Sequence, residues 1–79
     1  MDITGYKLRP TKHFIKGWMR KWDWDMEELR SFIESSTVEK VGKSKFEMYK
    51  RNKGKSRKII VIKDDANKEI LIITGAEGK

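Results

Sequence analysis

Arg57-Lys58-Ile59-Ile60-Val61-Ile62-Lys63 decides the fold. Four consecutive β-branched residues between cations are too short a run for a helix and read as a central strand, apolar on both faces. Downstream, Asp64 to Lys68 is a polar turn, and Glu69 to Thr74 is a second isoleucine-rich strand. Upstream, Arg51-Asn52-Lys53-Gly54-Lys55-Ser56 reads as an exposed, glycine-containing loop. Before it, Phe46, Met48 and Lys50 alternate with Lys45, Glu47, Tyr49 and Arg51, the period-two signature of a half-buried strand. Val38 to Lys43 is a weaker strand, joined by a turn near Gly42 to Ser44. Residues 38–74 are therefore expected to be antiparallel strands, and 75–79 a fraying tail.

The first half of the chain changes period. Phe14, Ile15, Trp18, Met19 and Trp22 form a helical stripe that opens at Pro10-Thr11, with Thr11 as the cap. His13, Lys16 and Arg20 share the opposite, exposed flank. A second helix is signalled by Asp25 with Glu28 three residues later, followed by the stripe Met26, Leu29, Phe32 and Ile33 and stopped by Ser35-Ser36-Thr37. Trp18, Trp22 and Trp24 read as core aromatics rather than a stacking platform. Within residues 1–10, Ile3 to Arg9 is a candidate edge strand that Pro10 interrupts.

These elements predict one α+β domain over 1–79: two N-terminal helices (11–36) packed on one face of an antiparallel sheet of about four strands, with the short N-terminal edge strand as an optional addition. An unpaired edge there would make a homodimer contact.

Composition removes most enzyme classes. The 79 residues contain no Cys and one His, which excludes disulfides, thiolate metal sites, cysteine nucleophiles and multi-imidazole zinc sites. No metal ligand set and no cofactor are expected. Gly54-Lys55-Ser56 resembles the end of a phosphate-binding loop, but Tyr49 stands where its first glycine belongs, and the segment lies between strands. Asp23 with Asp25, and Asp64 with Asp65, read as cap and turn residues rather than acid/base pairs. The longest apolar run, Ile59 to Ile62, is far below the ~18 residues of a membrane span, and Met1 to Pro10 does not resemble a signal peptide. A soluble cytoplasmic protein without membrane contact is expected.

What remains is charge. The net charge is +7. It is concentrated in the second half: nine cations lie between Lys40 and Lys58, opposed only by Glu47. Lys45, Tyr49 and Arg51 on one strand face, continued by Lys53 and Lys55, present cations to phosphates and a ring to a base, which points to RNA. Cleavage would need a proton carrier and phosphate clamps. His13 is the one side chain that titrates near neutrality unaided, and Arg20, Arg57 and Lys58 are candidate clamps. The same basic surface equally serves a non-catalytic nucleic-acid-binding module, or a domain that receives an acidic partner protein.

Lys12-His13 opening a helix, Trp24-Asp25-Met26-Glu27-Glu28-Leu29, Lys58-Ile59-Ile60-Val61-Ile62 and Glu69-Ile70-Leu71-Ile72-Ile73-Thr74 together resemble the RelE/ParE-like toxin superfamily. Within that superfamily the strings resemble the BrnT-like toxins and related small domains. The resemblance implies a metal-independent mRNA endoribonuclease restrained by a cognate antitoxin. His13 would be the helix histidine, and Arg57 and Lys58 the basic residues on the sheet. One departure is Gly17, where relatives often carry Arg one turn after the histidine.

Overall fold

Five strands and two short helical segments appear in the computed structural model, which describes residues 1–52 and 54–78, the side chain of Asn52 excepted. Strand β1 (Lys7–Pro10) leads into a continuous helical segment made of α1 (Lys12–Phe14), a π-helical stretch (Ile15–Met19) and α2 (Arg20–Trp22). There follow α3 (Met26–Ser35), β2 (Thr37–Lys40), β3 (Lys45–Asn52), β4 (Lys55–Asp64) and β5 (Glu69–Gly78). Both expected caps are present. Thr11 Oγ1 accepts the Phe14 N–H at 3.2 Å, and Asp25 Oδ1 accepts the Glu28 N–H at 2.9 Å. Asp23, at φ 56°, turns the chain left-handed and ends the first segment.

The expected antiparallel sheet of about four strands beneath two helices is overturned. The sheet is mixed and five-stranded, in the order β1-β5-β4-β3-β2, and the first helical segment is built of three short pieces. From β2 to β5 the chain is an antiparallel meander, but β1 joins β5 in parallel, with Lys7 opposite Glu69 and Pro10 opposite Ile72. A four-residue strand carries no local mark of its direction. That is decided by where the chain returns some sixty residues later, and Pro10, lacking an N–H, ends the pairing.

Alternation sorts the sheet into two faces. Leu8, Met48, Ile59, Val61, Ile70 and Ile72 are buried and meet Phe14, Met19, Trp22, Leu29, Phe32 and Ile33 from the helical segments in one core. Two members of the expected helical stripes lie outside it: Ile15 is 45% exposed and Met26 46%. The π stretch, with its wider turn, begins at Ile15 and moves that residue out of phase with the stripe. Met26 is the first helical residue of α3 and overhangs the core.

A bulge in β5 extends the sheet beyond its expected end. Val61 lies opposite Ile72 but Ile60 opposite Thr74, so Ile73 is the extra residue. The inward phase therefore passes from Ile70 and Ile72 to Gly75 and Glu77. Residues 75–78, expected as tail, pair with Ser56 to Ile59.

Two carboxylates tie these parts together. The Tyr6 hydroxyl donates to Asp65, and the Trp22 indole N–H donates to Glu77. Tyr6 holds the Asp65 carboxyl below its ordinary 3.8, with Lys63 assisting. Trp22, then Lys21, holds Glu77 below its ordinary 4.5. Because both are depressed in the folded state, their contribution is complete above the ordinary values and is lost as pH falls through the lower, folded ones. The thermal midpoint should therefore drop on acidification below about pH 4, and Tyr6→Phe should make that drop shallower. Superimposable midpoint-versus-pH curves for the two proteins would contradict the Tyr6–Asp65 assignment.

Candidate nucleic-acid interface

The helical segments pack on the face that carries Met48, Ile59 and Val61, which leaves the other face of the sheet to solvent. Along β3 that face presents Lys45, Glu47, Tyr49 and Arg51, and the register sets them against Ile62, Ile60, Lys58 and Ser56 of β4. Tyr49, 39% exposed, sits directly across from Lys58. Lys58 Nζ is held 3.4 Å from Glu47 Oε1, one step along the neighbouring strand. The floor between the cations is apolar: Ile60 and Ile62 are half-buried, and Leu71 of β5 is 40% exposed. At the far edge, Arg9 of β1 pairs with Glu69 at 3.0 Å. Ion pairs between side chains this accessible are weak and exchangeable, so Lys58 and Arg9 can turn to phosphate oxygens.

The remaining candidates are dispersed. Arg57 and Lys58 are neighbours in a strand and project from opposite faces. Arg57 turns under the helices, where its guanidinium lies 5.2 Å from the Trp22 ring centroid and 5.9 Å from that of Trp24. His13 is exposed in α1 at the sheet rim, with Nε2 3.2 Å from Thr74 Oγ1. Thr74 shares a cross-strand row with Ile60, while Lys58 stands opposite Ala76 two residues along. Arg20 is exposed on α2, and Lys55 is exposed at the tip of the β3–β4 hairpin. Lys53 lies outside the described residues. The expected loop from Arg51 to Ser56 is largely strand, since Asn52 still pairs with Lys55 and Gly54 takes the turn at φ 80°.

Sequence reasoning missed a second feature on the helix side. Trp24, Glu28, Ser31, Phe32, Lys50 and Arg57 line a cleft of about 220 Å³ between α3 and the sheet. Lys50 was legible as inward-facing from its alternation with Met48. Its meeting with α3 was not, because that approach is tertiary.

Among the described residues no group of three or more His, Asp or Glu side chains is placed to hold a metal ion, and no helix is long and apolar enough to cross a membrane. No protein-family model, curated protein or solved structure matches the chain.

Proposed function

We propose that this protein binds single-stranded RNA across the open face of its sheet. The observation that carries the reading is the position of Tyr49 beside Lys58, flanked along β3 by Lys45 and Arg51, on a face that no layer of the described residues covers. A ring takes a base by stacking while the surrounding cations take phosphates, a combination that needs no preformed pocket. The +7 net charge supplies long-range attraction.

Filter binding with a short unstructured RNA tests it. Log affinity should fall linearly with log salt, and the double variant Lys45→Ala/Arg51→Ala should shrink the slope by about 0.7 for each phosphate that is no longer neutralised. Tyr49→Ala should cost about 1–3 kcal/mol without changing the slope. Absence of binding at low salt would remove the proposal.

The position of His13 favours a second reading, the toxin-type ribonuclease that the RelE/BrnT resemblance implies. His13 stands at the rim of the same face, next to Thr74. On that reading its phosphate clamp would be Lys58, because Arg57 lies beneath the sheet. The same RNA, incubated with protein and EDTA, separates the two readings. Cleavage that disappears in His13→Ala supports the ribonuclease, and intact RNA in a stable complex supports binding alone.

A further inference from the structure

The cleft between α3 and the sheet has a composition that packing does not explain. Arg57 is half-buried, yet its guanidinium takes part in none of the ion pairs or side-chain hydrogen bonds of the described residues, and its charge lies over the rings of Trp22 and Trp24. A guanidinium held over aromatic rings by its charge spends none of its N–H donors on hydrogen bonds to them. Lys50, its cross-strand partner, is bonded among the described residues to a neutral hydroxyl, Ser35 Oγ at 3.0 Å. The Glu28 carboxylate lines the same cleft and joins no ion pair among the described residues. The cleft thus holds two cations with unspent donors, one carboxylate with unspent acceptors, and the edge of a fixed indole. Trp24 is held between Trp22 and Phe32, with ring centroids 4.7 Å and 4.9 Å away.

We infer that this cleft binds one guanine nucleotide: phosphate on Arg57 and Lys50, base against Trp24, base edge toward Glu28. Each group finds its complement. Phosphate oxygens suit a guanidinium with free N–H groups, and a carboxylate, an acceptor only, matches the two adjacent N–H donors on the edge of guanine. Uracil offers one. At about 220 Å³ the open cleft is smaller than a drug-sized pocket, so it engages no more than one nucleotide, part of which stays in solvent.

The nucleotide can be free or part of a strand. In the second case the inference rests on the RNA reading, and the sheet edge supplies a route. Strand β2 stops opposite Tyr49, so beyond that residue β3 itself forms the rim of the sheet. Outward Arg51 and inward Lys50 are adjacent there, where a chain on the open face can fold over into the cleft.

Calorimetric titration of the full chain with guanosine 5′-monophosphate, uridine 5′-monophosphate, guanosine and inorganic phosphate tests the site, with NMR of the three indole N–H signals as the locator. Saturable binding of the guanine nucleotide that shifts Trp22 and Trp24 more than Trp18 is expected. Arg57→Gln should weaken it by about tenfold or more, and Glu28→Gln should remove the preference for guanine over uracil, worth about tenfold. Should Arg57→Gln fail to fold, Lys50→Gln, altering an exposed side chain, provides the independent loss. No saturation by any nucleotide, or phosphate binding as tightly as the nucleotide while guanosine shifts nothing, would overturn the assignment. Tyr49→Ala separates the two sites, since it should leave nucleotide binding intact while weakening RNA. A guanosine-containing oligonucleotide distinguishes the sources: dependence on Arg57 puts a strand nucleotide in the cleft, and indifference to Arg57 leaves it to free nucleotides.

Discussion

Trp22→Ala is expected to lose about 3–5 kcal/mol of unfolding free energy, a large part of what a domain of this size possesses. The indole is the hub of the helix–sheet junction. It is 6% exposed, packs edge-on to Phe14 at 6.3 Å, lies 5.1 Å from Trp18 and 4.7 Å from Trp24, and carries the Arg57 cation. Its N–H also satisfies Glu77 at the end of β5. Truncation opens a cavity that its rigid aromatic neighbours cannot close and removes the ring on which Arg57 rests. With an m value of about 1 kcal/mol per molar urea, the midpoint should fall by about 3–5 M, or folding should be lost altogether. Trp22→Phe keeps most of the volume and deletes the N–H, so it should lose distinctly less. Equal losses would show that the Glu77 bond, rather than packing, is what this residue supplies. A Trp22→Ala loss under about 1 kcal/mol would show that the ring is not core.

Gly75→Val is the second large effect and acts by excess rather than deficit. A Cβ at Gly75 would stand 3.0 Å from both Trp18 Cγ and Trp22 Cη2 and 3.2 Å from Trp18 Cδ2. Those rings belong to the packed junction and have little room to retreat. Alanine there should cost about 1–3 kcal/mol and valine more, since its two methyl groups enter the same gap. Gly75 does not have a positive φ, so the penalty is one of space alone. Gly17 provides the contrast. It lies in the π stretch with nothing within 4 Å of an added Cβ, so Gly17→Ala should stabilise by about 0.4–1 kcal/mol by restricting the unfolded chain. Urea midpoints of the two alanine variants, moving in opposite directions, check both statements. A neutral Gly75→Ala would mean that β5 can shift away from the helices.

Local pattern alone was enough to place Lys45, Tyr49 and Arg51 on one face of β3, because strand alternation is a property of consecutive residues. The same rule separates Arg57 from Lys58, so their joint use as one clamp was already in tension with the strand that contains them. The caps at Thr11 and Asp25 and the buried isoleucines of β4 and β5 were legible for similar reasons, each depending on neighbours within a few positions. Tertiary structure decided the rest. Parallel pairing of β1, the π stretch that turns Ile15 outward, and the bulge at Ile73 that sets Gly75 and Glu77 beneath Trp22 all answer to partners distant in sequence. So does the cleft, where Arg57 and Lys50 of the sheet meet Trp24 and Glu28 at the start of α3. Propensity and periodicity act over a turn or a strand, whereas pairing direction and the meeting of side chains across layers are settled only when the whole core closes.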